Sequence, residues 1–182
     1  MKDIPKAVLA EDRVIFWNSE KGKEIFEDGY YGKFFEDRLE LALVEAAYLM
    51  ETGVISLVDQ NNEELSLKEF IGYAEKIDQR FGFRYAVYKD LRKKQLPTRT
   101  GFKFGCDFRV YARGVKPMKR GPKAPIEHTK WVVFAVPKSY ACSFAELSRA
   151  VRLAHNIRAN MLWAVVNSRN EVNYYSVTFF KP

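Results

Sequence analysis

The chain has 182 residues, 47% hydrophobic and 15% aromatic, which fits one large or two small packed domains and excludes a disordered segment. It has no apolar run of about 18 residues or more, and charges and Pro5 break up Met1 to Asp12, so a soluble, cytoplasmic protein is expected rather than a spanning or secreted one. The net charge of +7 hides an asymmetry: residues 1–83 hold 10 Lys/Arg against 18 Asp/Glu, residues 84–131 hold 14 against 3, and residues 132–182 hold 6 against 2. An acidic front and a strongly basic back point to two domains with different tasks, at 1–83 and 84–182. The basic one suits a polyanion, most simply nucleic acid.

In chain order, Ala7–Ala10 and Arg13–Trp17 read as short strands parted by the turn-like Glu11-Asp12. Gly22, Gly29 and Gly32 punctuate the aromatics Phe26, Tyr30, Tyr31, Phe34 and Phe35, which predicts a hairpin and turn. Asp37 with Glu40 resembles a capping box, so Leu39, Ala42, Leu43, Ala46, Ala47 and Met50 predict one helix with Gly53 as its left-handed cap. Val54–Asp59 reads as a strand and Gln60-Asn61-Asn62 as a turn. Ser66 and Glu69 form a second capping box, opening a helix whose stripe includes Phe70, Ala74, Ile77 and Phe81 and which Gly82 should end. This acidic α+β unit reads as a scaffold.

A basic helix from Arg84 to about Gln95 follows, stopped by Pro97. Phe102–Tyr111 alternates as a strand around Gly105, and Arg113 to Pro125 is a loop carrying Lys116, Lys119, Arg120 and Lys123. Trp131–Val136 has the run of a buried strand. Ser143 and Glu146 cap a helix to about Arg158, and the strands Leu162–Val166 and Val172–Phe180 flank the turn Asn167–Asn170. Alternating strands and helices predict an α/β unit with a mixed sheet flanked by helices. Cys106 and Cys142 lack metal-ligand spacing and read as small buried hydrophobes.

No metal cluster, Gly-rich phosphate cradle or nucleophile elbow is visible. What remains is Tyr111 at a strand end, His128 after the basic loop, and a helix carrying Arg152, His155 and Arg158. Tyrosine and histidine in a basic groove can cut RNA without a metal, because the 2′-hydroxyl beside the scissile phosphate is its own nucleophile. The protein then needs a base, an acid and a cation for the phosphorane.

The segments 99–111 (RTGFKFGCDFRVY), 127–131 (EHTKW), 149–158 (RAVRLAHNIR), 171–175 (EVNYY) and 179–182 (FFKP) resemble, in order, motifs of the archaeal tRNA-splicing endonucleases. The resemblance spans nearly the whole chain. It implies a restriction-endonuclease-like nuclease fold in the second domain and, without any cofactor, cleavage of precursor tRNA at bulge–helix–bulge junctions. It makes Tyr111 the general base and His128 the general acid, and it puts a charge-stabilising lysine where this chain has Ala159. Three explanations of Ala159 stay open: a change by design, a naturally non-catalytic subunit, or substitution by another cation such as Arg158 or Lys103. Tyr111 and His128, each present in its motif, favour a catalytic lineage carrying a Lys→Ala change, so this sequence is expected to be an inactive variant of the enzyme. Arg152 matches an arginine that sandwiches a bulged base; at helical spacing Arg152, His155 and Ala159 would share a face. Arg109, Arg158, Lys103, Lys116, Lys119, Arg120 and Lys123 are the further RNA-contact candidates. The terminal strand is expected to pair with a second subunit. The resemblance also implies that subunit pairs dock by an acidic loop, between the last two strands, that enters a basic cleft. The near-neutral segment 167–171 is weak for that role and points to an α2β2 heterotetramer, a homodimer or homotetramer being the alternatives.

Overall fold

The computed structural model describes residues 4–17, 19–101, 105–117 and 124–180. The chain divides into two compact units, Met1–Tyr85 and Ala86–Pro182. Among the described residues no helix is long and apolar enough to cross a membrane.

The first unit contains strands β1 (Lys6–Ala10), β2 (Arg13–Phe16), β3 (Lys33–Phe34), β4 (Leu39–Ala42), β5 (Ser56–Val58) and β6 (Glu64–Leu65). They form one sheet in the order β3-β4-β2-β1-β5-β6, with only β1 and β5 parallel. Helices α1 (Ser19–Gly29), α2 (Leu43–Glu51) and α3 (Leu67–Ile77) complete it, and α4 (Phe81–Lys93) begins in it. Ser66 and Glu69 form the expected capping box at the start of α3, and Gly53 follows α2 in the left-handed conformation at φ 70°.

Three expectations for this unit fail, each for a physical reason. Residues 19–29 are a helix, not a hairpin. Gly22 is no turn residue: a Cβ there would stand 3.2 Å from Leu39 Cβ, so the missing side chain lets the helix sit close on the sheet. Leu39–Ala42 is a strand, because Leu39 and Leu41 are buried while Glu40 and Ala42, alternating with them, are half-buried, a period of two. The helix starts only at Leu43, where the buried Glu45 carboxylate accepts the Ala42 and Gly32 N–H groups at 2.9 and 3.0 Å. Gly82 ends nothing. The earlier helix closes at Asp78, and Gly82 lies in the first turn of α4.

In the second unit the strands are β7 (Thr98–Thr100), β8 (Phe108–Val110), β9 (Trp131–Pro137), β10 (Asn160–Val166) and β11 (Val172–Val177), with helix α5 (Phe144–Asn156). The sheet order is β11-β10-β9-β8-β7; β9 and β10 are parallel and every other pair antiparallel. Of the single strand expected over 102–111 only β8 is seen, paired in a hairpin with β7, which precedes that range; residues 102–104 lie outside the described set. Gly101 is pinned at its turn: a Cβ there would meet Cys106 Sγ at 2.4 Å and its carbonyl oxygen at 2.8 Å. Asp107 extends the ladder beyond β8, its N–H donating to Val133 O at 3.1 Å and its carboxylate accepting the Ala135 N–H at 2.8 Å.

Helices cover both faces of this sheet. Tyr88 of α4 packs on Phe108, ring centroids 5.6 Å apart, and the Tyr174 hydroxyl donates to Asp90 of the same helix at 2.6 Å. On the other face Ala150 and Ala154 of α5 pack with Cys106, Val132 and Met161. The Ser143–Glu146 capping box starts α5. Cys106 is buried as expected, and burial pushes its thiol up to about 12; Cys142, contrary to expectation, is exposed, and both thiols are free.

Two outcomes are expected. Phe108 is fully buried, so Phe108→Ala should cost about 3–5 kcal/mol, measured by urea denaturation; a loss well under 2 would contradict its place under α4. Hydrogen bonds from the Ser143 N–H and then its hydroxyl hold the Glu146 carboxyl below the usual carboxylate range. A depressed folded pKa stabilises above the unfolded value and ceases to do so as pH falls through the folded one. Glu146→Gln should therefore be less stable than the parent at neutral pH, the difference closing in acid; a gap constant with pH would refute it.

Candidate functional site

Three segments far apart in the chain meet at one end of the second sheet. β8 is antiparallel to β9, and β9 is parallel to β10, so the end of β8 and the starts of β9 and β10 coincide. The ladder pairs Val110 with Trp131 and Trp131 with Asn160. One step further out stand Tyr111, Lys130 and Ala159, on three neighbouring strands. Backbone bonds fix that row: the Lys130 N–H donates to Val110 O, the Asn160 N–H to Lys130 O, and the Tyr111 N–H to Pro97 O, each at 2.9 Å. His128 enters on the same segment two residues before Lys130, just after a 3-10 turn at Pro125–Glu127. The Glu127 carboxylate accepts the Ala124 N–H at 2.7 Å and closes that turn.

Exposure differs among the three expected site residues. His128 is exposed and Ala159 half-buried, whereas Tyr111 is only 3% exposed. Alternation along β8 puts Tyr111 and Arg109 on the α5 side of the sheet, opposite the face on which Phe108 meets α4. Ala159 packs against the buried cluster of Cys106, Val132, Ala150, Ala154 and Met161.

The ending of α5 explains how position 159 is held. The Ala159 N–H donates to Ala154 O at 2.8 Å and the Arg158 N–H to His155 O at 3.0 Å, with Arg158 left-handed at φ 56°. These bonds make a Schellman motif, in which Arg158 occupies the position that glycine prefers and Ala159 the next. Residue 159 is thus off the helix, so the helical face expected to join Arg152, His155 and Ala159 does not include it. Arg152, His155, Arg158 and Lys116 are exposed and Arg109 is half-buried. Lys103, Lys119, Arg120 and Lys123 fall outside the described residues. Lys130, absent from the sequence-derived candidates, is the residue that the register adds; in sequence it is one lysine among many, and only the ladder reveals its neighbours.

The two units, with their mixed sheets and, among the described residues, five α-helices, define an α+β nuclease fold. Residues 81–174 match the family model for the tRNA intron endonuclease catalytic C-terminal domain, and residues 6–71 that for the tRNA intron endonuclease N-terminal domain. The chain belongs to the tRNA intron endonuclease family. It is 35% identical to a tRNA-splicing endonuclease of Thermococcus onnurineus over 181 residues, covering 100% of this chain and 99% of the relative. A tRNA-splicing endonuclease of Thermococcus kodakarensis is 37% identical over 95% of this chain and 96% of its own length. One from Methanococcoides burtonii is 37% identical over 94% of this chain, which spans only 47% of that longer relative.

The strained cap gives a direct check on the geometry around position 159. Arg158→Gly should raise stability by about 1 kcal/mol, since a left-handed residue with a Cβ carries roughly that strain. An unchanged or lower urea midpoint would mean that the motif is not as described.

Proposed function

We propose that this chain is a subunit of a tRNA-splicing endonuclease that cuts precursor tRNA at bulge–helix–bulge junctions. The observation that carries the reading is the gathering of Tyr111, the His128 segment and position 159 at one end of the basic unit's sheet. In this reading Tyr111 takes the proton of the 2′-hydroxyl, the 2′-oxygen bonds to phosphorus, and the bond to the 5′-oxygen breaks as His128 protonates it. The products are a 2′,3′-cyclic phosphate and a 5′-hydroxyl, formed without a metal.

Arg152, Arg158, Arg109, Lys116 and the lysines and arginine of 103–123 serve the RNA backbone and a bulged base. The acidic unit acts as scaffold, and the whole works in the cytoplasm. Assembly with a second subunit is supported by the edge position of β11 and by the exposure of Tyr175, Phe179 and Phe180 (58, 74 and 81%). Within the last turn, Glu171 pairs with Arg169 at 3.1 Å and with Asn167 at 2.6 Å. An acid so occupied is ill-suited to enter a basic cleft, which favours an α2β2 heterotetramer over a homo-oligomer.

A second reading, a non-catalytic subunit of the same assembly, is favoured by one observation: Ala159 packs as an apolar residue where the resemblance puts a lysine. Cleavage of a bulge–helix–bulge RNA in chelator separates the two. Loss of one charge-stabilising group costs on the order of a hundredfold, about 3 kcal/mol, so Ala159→Lys should raise the rate by that factor wherever no other cation already serves the phosphorane, and by little where one does. Tyr111→Phe and His128→Ala should abolish it. RNA binding with no cleavage by either the parent or Ala159→Lys, alone or with a partner subunit, would leave only the second reading.

A further inference from the structure

Lys130 occupies the middle of the row Tyr111–Lys130–Ala159. Its N–H is bonded to the carbonyl before Tyr111 and its carbonyl accepts the N–H after Ala159, each at 2.9 Å; the Asn160 side-chain amide also donates to that carbonyl, at 3.3 Å. Its backbone is therefore held from both sides although it lies just outside β9. Adjacent strands stand about 4.8 Å apart, so a four-carbon stem rooted between the two neighbours carries its ammonium over either of them. The side chain is exposed, and among the described residues it forms no ion pair. Its ammonium rests 4.4 Å from the centroid of the Trp131 ring, a weak contact that a phosphate readily displaces. His128, two residues earlier on the same segment, is exposed as well.

We infer that Lys130 is the cation of this site and contacts the non-bridging oxygens of the scissile phosphate. The inference rests on the endonuclease reading above. As the 2′-oxygen bonds to phosphorus and the 5′-oxygen leaves with the proton from His128, negative charge collects on those oxygens. A fixed cation there is stronger in the transition state than in the ground state, which is the condition for raising the rate. Position 159 can then be alanine, because the neighbouring strand supplies the charge that the lysine would have carried.

The test is single-turnover cleavage of a bulge–helix–bulge RNA in chelator by the full chain, with its partner subunit if it has one. Affinity is measured in parallel on the same RNA with a 2′-deoxy nucleotide at the cut. Lys130→Ala should slow cleavage about a hundredfold while changing affinity only a few-fold. Lys130→Arg should keep part of the rate. Ala159→Lys should help little in the parent and restore the rate in the Lys130→Ala background, the non-additivity expected of two groups serving one charge. An unchanged rate in Lys130→Ala, equal losses of rate and affinity, or a hundredfold loss confined to Arg158→Ala would overturn the assignment. If only chains with Ala159→Lys cut, and equally well with Lys130→Ala, the endonuclease reading stands and the role of Lys130 falls. If no chain cuts, both fall.

Discussion

Everything proposed for this chain depends on the backbone ladder joining β8, β9 and β10. Tyr111, Lys130 and Ala159 are far apart in sequence, and no side-chain contact is needed to bring them together. Two interstrand registers do so: Val110 opposite Trp131 and Trp131 opposite Asn160. A slip of one residue in either register would turn the side chains of the row to the opposite face. The register is therefore guarded from within. Phe108 and Val133 pair on the α4 face, Val132 and Met161 pack under α5, and Asp107 adds a carboxylate bond to the Ala135 N–H just before the start of β8. With apolar layers on both faces, a slip would bury polar groups and expose the core on two sides at once.

Much of this was readable in the chain. The capping boxes at Ser66 and Ser143, the run Trp131–Val136 and the turn at Asn167–Asn170 announce their elements because each rests on local chemistry: a hydroxyl for a free N–H, a β-branched run, an Asx-type turn. The failures have a common origin in tertiary contacts. Gly22 reads as a turn, yet it is a contact point beneath which Leu39 and Phe16 lie. Leu39–Ala42 fits a helical stripe on paper, and only its pairing with β2 makes the period two. The face shared by Arg152, His155 and position 159 assumed that the helix continued. The left-handed backbone at Arg158 ends it, and nothing in an arginine announces that conformation.

The candidate site divides along the same line. Tyr111 and His128 could be named because they sit in long motifs of distinctive spelling. Lys130 could not, since a lysine beside a tryptophan in a basic segment has no spelling of its own. Its significance is positional, and position across strands is information that a linear reading lacks. The charge asymmetry was legible at once, but it says only that residues 84–182 attract polyanions. In the proposed reaction, which cation meets the phosphate depends on the register.

The packing at position 159 also bears on how the site tolerates either residue. In a Schellman ending the residue after the left-handed one makes an apolar contact back to the last turn, and Ala159 does so against the cluster that holds Ala154. A lysine at that position would lay its methylenes along the same surface and carry its ammonium outward, as long basic side chains do at partly buried sites. The contact is thus compatible with both residues, and the fold exerts little preference between them. What distinguishes them is charge alone. With Lys130 one strand away on the same row, the alanine leaves the apolar contact intact while the sheet end keeps a cation.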